Sequence, residues 1–288
     1  MTHGFLKNKH YLARDMFRIC NGLFMCLLLI LMLIPLLKVF ADSLDRSAVY
    51  GLTLWPRNPS LEAYRVIVSN KNLYRPLLVS IFTTVTGTLL GLLITTLAAY
   101  VLIQKDLIGR GFFSKFIFIT MIFNGGLVPT FLVLKNLGMT NTLWAVLLPA
   151  SVNAFNIFLM KNFFDQIPTS LFESAEIDGA SPPQVFFMIV LPLSAAALAS
   201  IGLFFAVQYW NEFFAYVMYV SKPELYNFQV KLRELILNEQ NLNDPTIIGY
   251  GNMVKNASVV VTVIPFLFIY PFAQRYFIQG VTVGAVKE

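Results

Sequence analysis

Six stretches of this chain contain no charged residue: 19–37, 76–104, 116–134, 136–160, 179–211 and 256–274. Each reaches the roughly 17–25 residues that a helix needs to cross the hydrocarbon layer. The charged residues gather between these stretches instead of alternating with them, as the surface of a water-soluble helix would require. Backbone polar groups in lipid must be satisfied within the segment, so the apolar stretches are expected to be helices. The pattern therefore predicts an all-α, polytopic membrane protein with six transmembrane helices. The expected spans are about 19–40, 76–104, 116–134, 143–160, 189–212 and 256–274, in a single domain over 1–288.

Composition sharpens this reading. The chain is 57% hydrophobic and only 12% charged, with mean hydropathy +0.68, against about 25% charged in an ordinary soluble domain. The net charge of +6 does not mark a nucleic-acid partner, because the basic residues form no basic face. Lys7, Lys9, Arg14 and Arg18 precede the first apolar stretch, and Lys105, Arg110 and Lys115 fill the link between the second and third. Both placements follow the positive-inside rule and put the N-terminus in the cytoplasm. With six spans the C-terminus returns there too. The loops expected outside, about 42–74 and 221–255, mix basic with acidic residues.

The first stretch is read as an uncleaved helix, since Val39-Phe40-Ala41 is a poor cleavage site and five spans follow. Cys20 and Cys26 are too few for a disulfide framework and have no metal-ligand company. In the second stretch Thr83, Gly87, Gly91 and Thr95 recur every four residues, a helix face small enough for close backbone approach. Ala195, Ala199 and Gly202 offer a similar face in the fifth. The first outer loop, with Pro56 and Pro59, reads as a folded turn, and Val230–Asn238 in the second as a short charged helix.

Polar residues inside membrane helices are costly, so each is a candidate for a transport path. Asn153 and Asn156 lie three apart in the fourth span, while Gln208, Tyr209, Trp210, Asn211 and Glu212 cluster late in the fifth. Amides, a carboxylate and aromatic rings suit the hydroxyls and ring faces of a neutral sugar. The competing reading is that these residues tie helices together or mark the water interface.

Residues 165–188 interrupt the apolar chain with acids, a glycine and paired prolines. Pro168 ends the fourth helix, and Ser170-Leu-Phe-Glu173 fits a capping box. A short helix then runs to Asp178 and stops at Gly179. Ser181-Pro182 starts another, serine as N-cap and proline in its first turn. Leu171, Phe172 and Ala175 offer an apolar contact, with Glu173 and Asp178 along its edge.

The spacing Glu173-x-Ala175-x3-Gly179-x9-Ile189-x-Leu191-Pro192 resembles the EAA loop of permease subunits in ATP-binding cassette importers. It departs once, with Ser174 where that family usually has alanine. Ile177-Asp-Gly-Ala180, Asn124-Gly-Gly-Leu-Val-Pro129, Gly138-Met-Thr-Asn-Thr142 and Trp210-Asn211 are similar to the carbohydrate branch. That branch includes the maltose-permease second subunit and its polysaccharide- and lipoprotein-transporter relatives. The resemblance implies a type I importer permease fold, with Leu171, Phe172, Glu173, Ala175, Asp178 and Gly179 forming cytoplasmic coupling helices between spans four and five. It also implies two ATPase subunits, a second and heterologous permease subunit, and an extracytoplasmic solute-binding protein that delivers a sugar or oligosaccharide. The setting is the plasma membrane of a prokaryote.

The chain has no Gly-x4-Gly-Lys-Ser/Thr phosphate loop, so ATP and its Mg are expected on the partner ATPase, with no cofactor here. Its two histidines, His3 and His10, lie in the N-terminal tail, and no nucleophile–base pair is visible. A non-sugar solute is the alternative within the importer class. An ion-coupled carrier is disfavoured because the mid-span regions lack ionisable groups.

Overall fold

The computed structural model describes residues 3–47, 51–123, 125–237, 251–265 and 267–268. Among these residues the regular structure is helical, with one isolated bridge between Asp45 and Pro59. The chain divides into two compact units, Met1–Val68 with Glu239–Val261, and Ser69–Asn238 with Thr262–Glu288.

In the first unit, α1 runs over His3–Ser43. None of its most apolar 18-residue window is buried within the protein, which suits a helix surrounded by lipid. Cys20 and Cys26 are free and exposed on it. The loop after α1 is tightly folded. Asp45 is 3% exposed, and its carboxylate accepts from the Ser47 amide and hydroxyl, both at 2.9 Å, the Arg57 amide at 2.8 Å and the Asn58 amide at 3.2 Å. The Arg57 amide is the strongest influence holding the Asp45 carboxyl down at about 2, against the opposing effect of burial. The Ser43 and Tyr64 hydroxyls lie 2.7 Å apart, joining the end of α1 to α2 (Glu62–Ser69).

The second unit is organised on α3 (Lys71–Ile103), opened by the Asn70 side chain, which accepts from the Asn72 amide. Against it pack α6 (Trp144–Ser151), α7 (Ala154–Phe164), α10 (Ala195–Trp210) and α12 (Phe228–Leu237). The closest approach is to α10. A Cβ added to Gly87 would overlap the Tyr209 ring, and one on Gly91 would lie 2.7 Å from Phe205. The buried edge of α10 is Ala197, Ile201, Phe205 and Tyr209. Ala195 is exposed and Ala199 half-buried, so the small-residue face expected at 195, 199 and 202 is reduced to Gly202, against Leu92.

Three of the expected continuous helices are broken. The 116–134 stretch becomes α4 (Arg110–Ile122) and α5 (Leu127–Asn136), interrupted where Gly125 and Gly126 remove helix propensity. The 143–160 stretch becomes α6 and α7, bent by 45° at Val152 and Asn153, where the backbone is extended. The 189–212 stretch bends by 81° between α9 (Pro182–Leu193) and α10, at Ser194. Within α9, Phe186–Val190 widens into a π-turn in which the Leu191 amide donates to the Phe186 carbonyl. Among the described residues, α1 over Arg14–Ser43 and α3 are long and apolar enough to cross a membrane unbroken. The bent pairs α4–α5, α6–α7 and α9–α10 qualify if each is one crossing. Of the last expected span, 256–274, helix is described over 251–265 and 267–268, and the rest lies outside the described residues.

Two outcomes follow. Because the folded loop favours ionised Asp45, that stabilisation is complete above the ordinary carboxyl value of 3.8 and is lost as pH falls through about 2. Asp45→Ala leaves three backbone donors unanswered and should cost about 1–3 kcal/mol, seen as faster amide exchange at Ser47, Arg57 and Asn58 at neutral pH. Gly87→Ala should destabilise the α3–α10 contact by about 1–3 kcal/mol in detergent melting. Gly111→Ala, which faces open space, should leave this contact intact.

Candidate functional site

The segment between α7 and α10 is built from local rules and then fixed to α3. Its first helix, α8, spans Thr169–Ile177 and starts directly after Pro168 without a side-chain cap. The capping box expected from Ser170 and Glu173 does not form. Ser170 is already inside the helix, where its carbonyl accepts from the Ser174 hydroxyl at 2.8 Å. The end of α8 is a Schellman motif: the Gly179 amide donates to the Glu176 carbonyl at 3.0 Å and the Ala180 amide to the Ala175 carbonyl at 2.9 Å. Gly179 carries φ +75°, which a residue with a Cβ adopts at a cost of about 1–2 kcal/mol. The next helix opens at Ser181, whose amide and hydroxyl both donate to Gln184 Oε1 at 2.8 Å.

The two faces of α8 have separate tasks. Ala175 is buried and Phe172 half-buried, both in the core built by Tyr100, Phe164, Val185 and Phe186. Both pack against this chain's own core. Glu173, Ser174 and Asp178 are exposed, Leu171 is 39% exposed and Ile177 86% exposed. Glu173 and Ile177 are four apart and share one face. Ile177 is the apolar outward residue that the composition pattern missed; its i+4 relation to Glu173 was the available signal.

Tyr100 had no such signal. Near the C-terminus of α3, its hydroxyl donates to the Pro182 carbonyl at 2.9 Å. Its ring lies 5.0 Å from that of Phe186, where the π-turn begins. One side chain thus holds the first turn of α9 against the end of α3.

The polar residues proposed for a path are mostly engaged within the chain. Asn153 is not on a helix face: it occupies the break before α7 and accepts from the Asn156 amide at 3.1 Å. Asn156 itself is buried. The Tyr209 hydroxyl donates to the Leu147 carbonyl at 2.7 Å, and Trp210 Nε1 to the Thr262 carbonyl at 3.0 Å. Glu212 accepts from the Ala215 amide at 2.9 Å, capping α11 (Phe214–Tyr219), and its carbonyl receives the Asn227 amide group. Asn211 is exposed and donates to the Val207 carbonyl; Gln208 is half-buried. On α3, the buried hydroxyl oxygens of Thr84 and Thr88 have no partner among the described residues. Hence the side chains of Asn153, Tyr209, Trp210, Asn211 and Glu212 each bond a backbone group.

The chain belongs to the family of binding-protein-dependent transport system inner membrane components, whose model matches residues 7–283. It is 40% identical over 273 residues to the polygalacturonan/rhamnogalacturonan transport system permease protein YtcP of Bacillus subtilis, covering 92% of this chain and 96% of that protein. It is 36% identical over 287 residues to the protein LplC of the same organism, covering 96% of each. Its fold matches a chain in the crystal structure of a bacterial ABC transporter involved in the import of the acidic polysaccharide alginate, with TM-score 0.85 and 30% identity over 92% of this chain and 98% of the other.

Gly179→Val should open the Schellman turn, raising the exchange rate of the Ala180 amide roughly tenfold, the equivalent of about 1.4 kcal/mol. Gly179→Asn, which tolerates the left-handed region, should leave it close to wild type.

Proposed function

We propose that this chain is one permease half of an ATP-driven importer, carrying an oligosaccharide delivered by an extracytoplasmic solute-binding protein. The observation that carries the reading is the division of α8 into an inward face, packed in the core of Tyr100, Phe164, Val185 and Phe186, and an outward face of Glu173 and Ile177. A knob held in this way moves with the membrane helices instead of trailing from them. Closure of two partner ATPase subunits on ATP and Mg would pull on Glu173, Ile177, Leu171 and Asp178, while Gly179 and Tyr100 pass the displacement to α9 and α3. Phe172 and Ala175 serve the same task from the inner side.

In this reading each bent pair is one crossing and 256–274 completes six spans in one permease domain. Both termini and the coupling segment face the cytoplasm of a prokaryote, and a second, heterologous permease subunit supplies the other half of the path. The chain needs no cofactor of its own. Carbohydrate cargo is supported by the relatives named for polygalacturonan/rhamnogalacturonan and alginate transport, both acidic polysaccharides, and we take an acidic oligosaccharide as the substrate. Gln208 and the unpartnered hydroxyls of Thr84 and Thr88 are among the polar groups left to meet it.

Glu173→Lys and Ile177→Asp should each reduce ATP-driven uptake in proteoliposomes roughly tenfold or more, as loss of a charge-assisted contact of about 1.5–3 kcal/mol requires. Both variants should still insert into the membrane. Undiminished uptake in both would exclude α8 as the coupling element.

A further inference from the structure

At the start of α3 lies a polar cleft of about 180 Å³ that the coupling machinery does not use. One wall carries Lys71 and Arg75, four residues apart and therefore on one helix face. The opposite wall comes from the segment before and within α12, with Glu224, Tyr226, Lys231 and Glu234. Lys231 and Glu234 pair at 3.1 Å and cancel each other. Lys71 and Arg75 have no carboxylate within ion-pair distance among the described residues.

This arrangement is unfavourable without a ligand. Two cations occupy the N-terminal turns of a helix with no acidic residue in its first turn, where the macrodipole already presents positive charge. Arg75 is also half-buried, and no carboxylate among the described residues pairs with it. A carboxylate in the cleft answers both cations. Arg75 can meet it with two parallel N–H donors, and Lys71 with a point charge. The half-buried Tyr226 ring offers an apolar surface to a sugar ring, and Glu224 can accept from its hydroxyls.

The position in the fold gives the site its meaning. The 33 residues of α3 rise about 50 Å, more than the roughly 30 Å hydrocarbon layer. Tyr100, near the far end, holds the coupling segment. With α3 taken as one crossing, the cleft and α8 lie on opposite sides of the membrane.

We propose that this cleft is an entry subsite which receives the carboxylate of an acidic sugar unit at the outer mouth of the path. The proposal rests on the import reading above and adds to it the residues that recognise the acid. The test uses the complete importer, both permease halves with their ATPases, and measures direct binding of trigalacturonate and of its neutral methyl ester by saturation-transfer NMR. Wild type should bind the acid roughly tenfold more tightly than the ester, as one charge-assisted contact implies, and the preference should shrink with added salt. Lys71→Gln/Arg75→Gln should abolish the preference, provided the variant still inserts and co-purifies with the ATPases. Equal binding of acid and ester by wild type, an undiminished preference in the double variant, or no binding of the acid would overturn the subsite. The import reading fails separately, if no oligosaccharide drives uptake or stimulates ATP hydrolysis in the wild-type importer with its binding protein.

Discussion

The close approach of α3 and α10 is the contact on which the second unit depends. Gly87 and Gly91 remove the side chains that would keep two helix backbones apart, and the rings of Tyr209 and Phe205 fill the space they leave. Lipid tails are as apolar as leucine, so a membrane protein gains little from hiding apolar surface; fitted van der Waals contact must do the work instead. Once the Tyr209 ring is seated, its hydroxyl reaches the Leu147 carbonyl and fixes α6. On the same side of α3, Thr83 receives the Tyr216 hydroxyl at 3.0 Å and Ser80 receives the Phe228 amide at 2.9 Å. A single helix thus sets the position of α6, α10, α11 and α12.

The broken helices raise a second constraint. Each interruption frees backbone amides and carbonyls that lipid cannot satisfy. The chain answers with its own polar side chains: Asn153 accepts from the first turn of α7, Glu212 from that of α11, and Asn227 from the Val230 amide at the start of α12. At the α9–α10 bend, the Ser194 carbonyl accepts from the Leu198 amide at 2.9 Å. The same polar residues that suggest a hydrophilic path in a linear reading are the means by which an apolar bundle can bend. A bent bundle has joints, which a transporter with alternating access needs.

How much of this was legible depends on whether a feature is local. The α8 stop at Gly179 and the α9 start at Ser181-Pro182 are written within a few residues, because caps and left-handed turns are short-range chemistry. The stripe at 83, 87, 91 and 95 was legible as a small face, but Tyr209 and Phe205 as its partners were not. The Ser170–Glu173 box failed because proline at 168 already sets the helix start two residues earlier than the box requires. Ser194 carries no glycine or proline of its own to announce an 81° bend. Asn153 and Asn156 were placed on one helix face because nothing in a charge-free window marks the break at Val152 and Asn153.

The sequence by itself determined the membrane class, the helical content, the position of the short α8–α9 segment in the chain and, through its family spacing, the kind of protein this is. These follow from solvent and local geometry: hydrocarbon demands long apolar helices, and caps and glycines end them. Only the tertiary structure decided which faces are free. Phe172 and Ala175 turned inward because α3 offers them a core, leaving Glu173 and Ile177 outward. Tyr100 became a clamp because residue 182 folds back onto it across 82 positions of chain. Lys71 and Arg75 became one wall of a cleft because the segment before α12 returns to the start of α3. Such long-range encounters depend on how the helices pack, and no window of the sequence contains both partners.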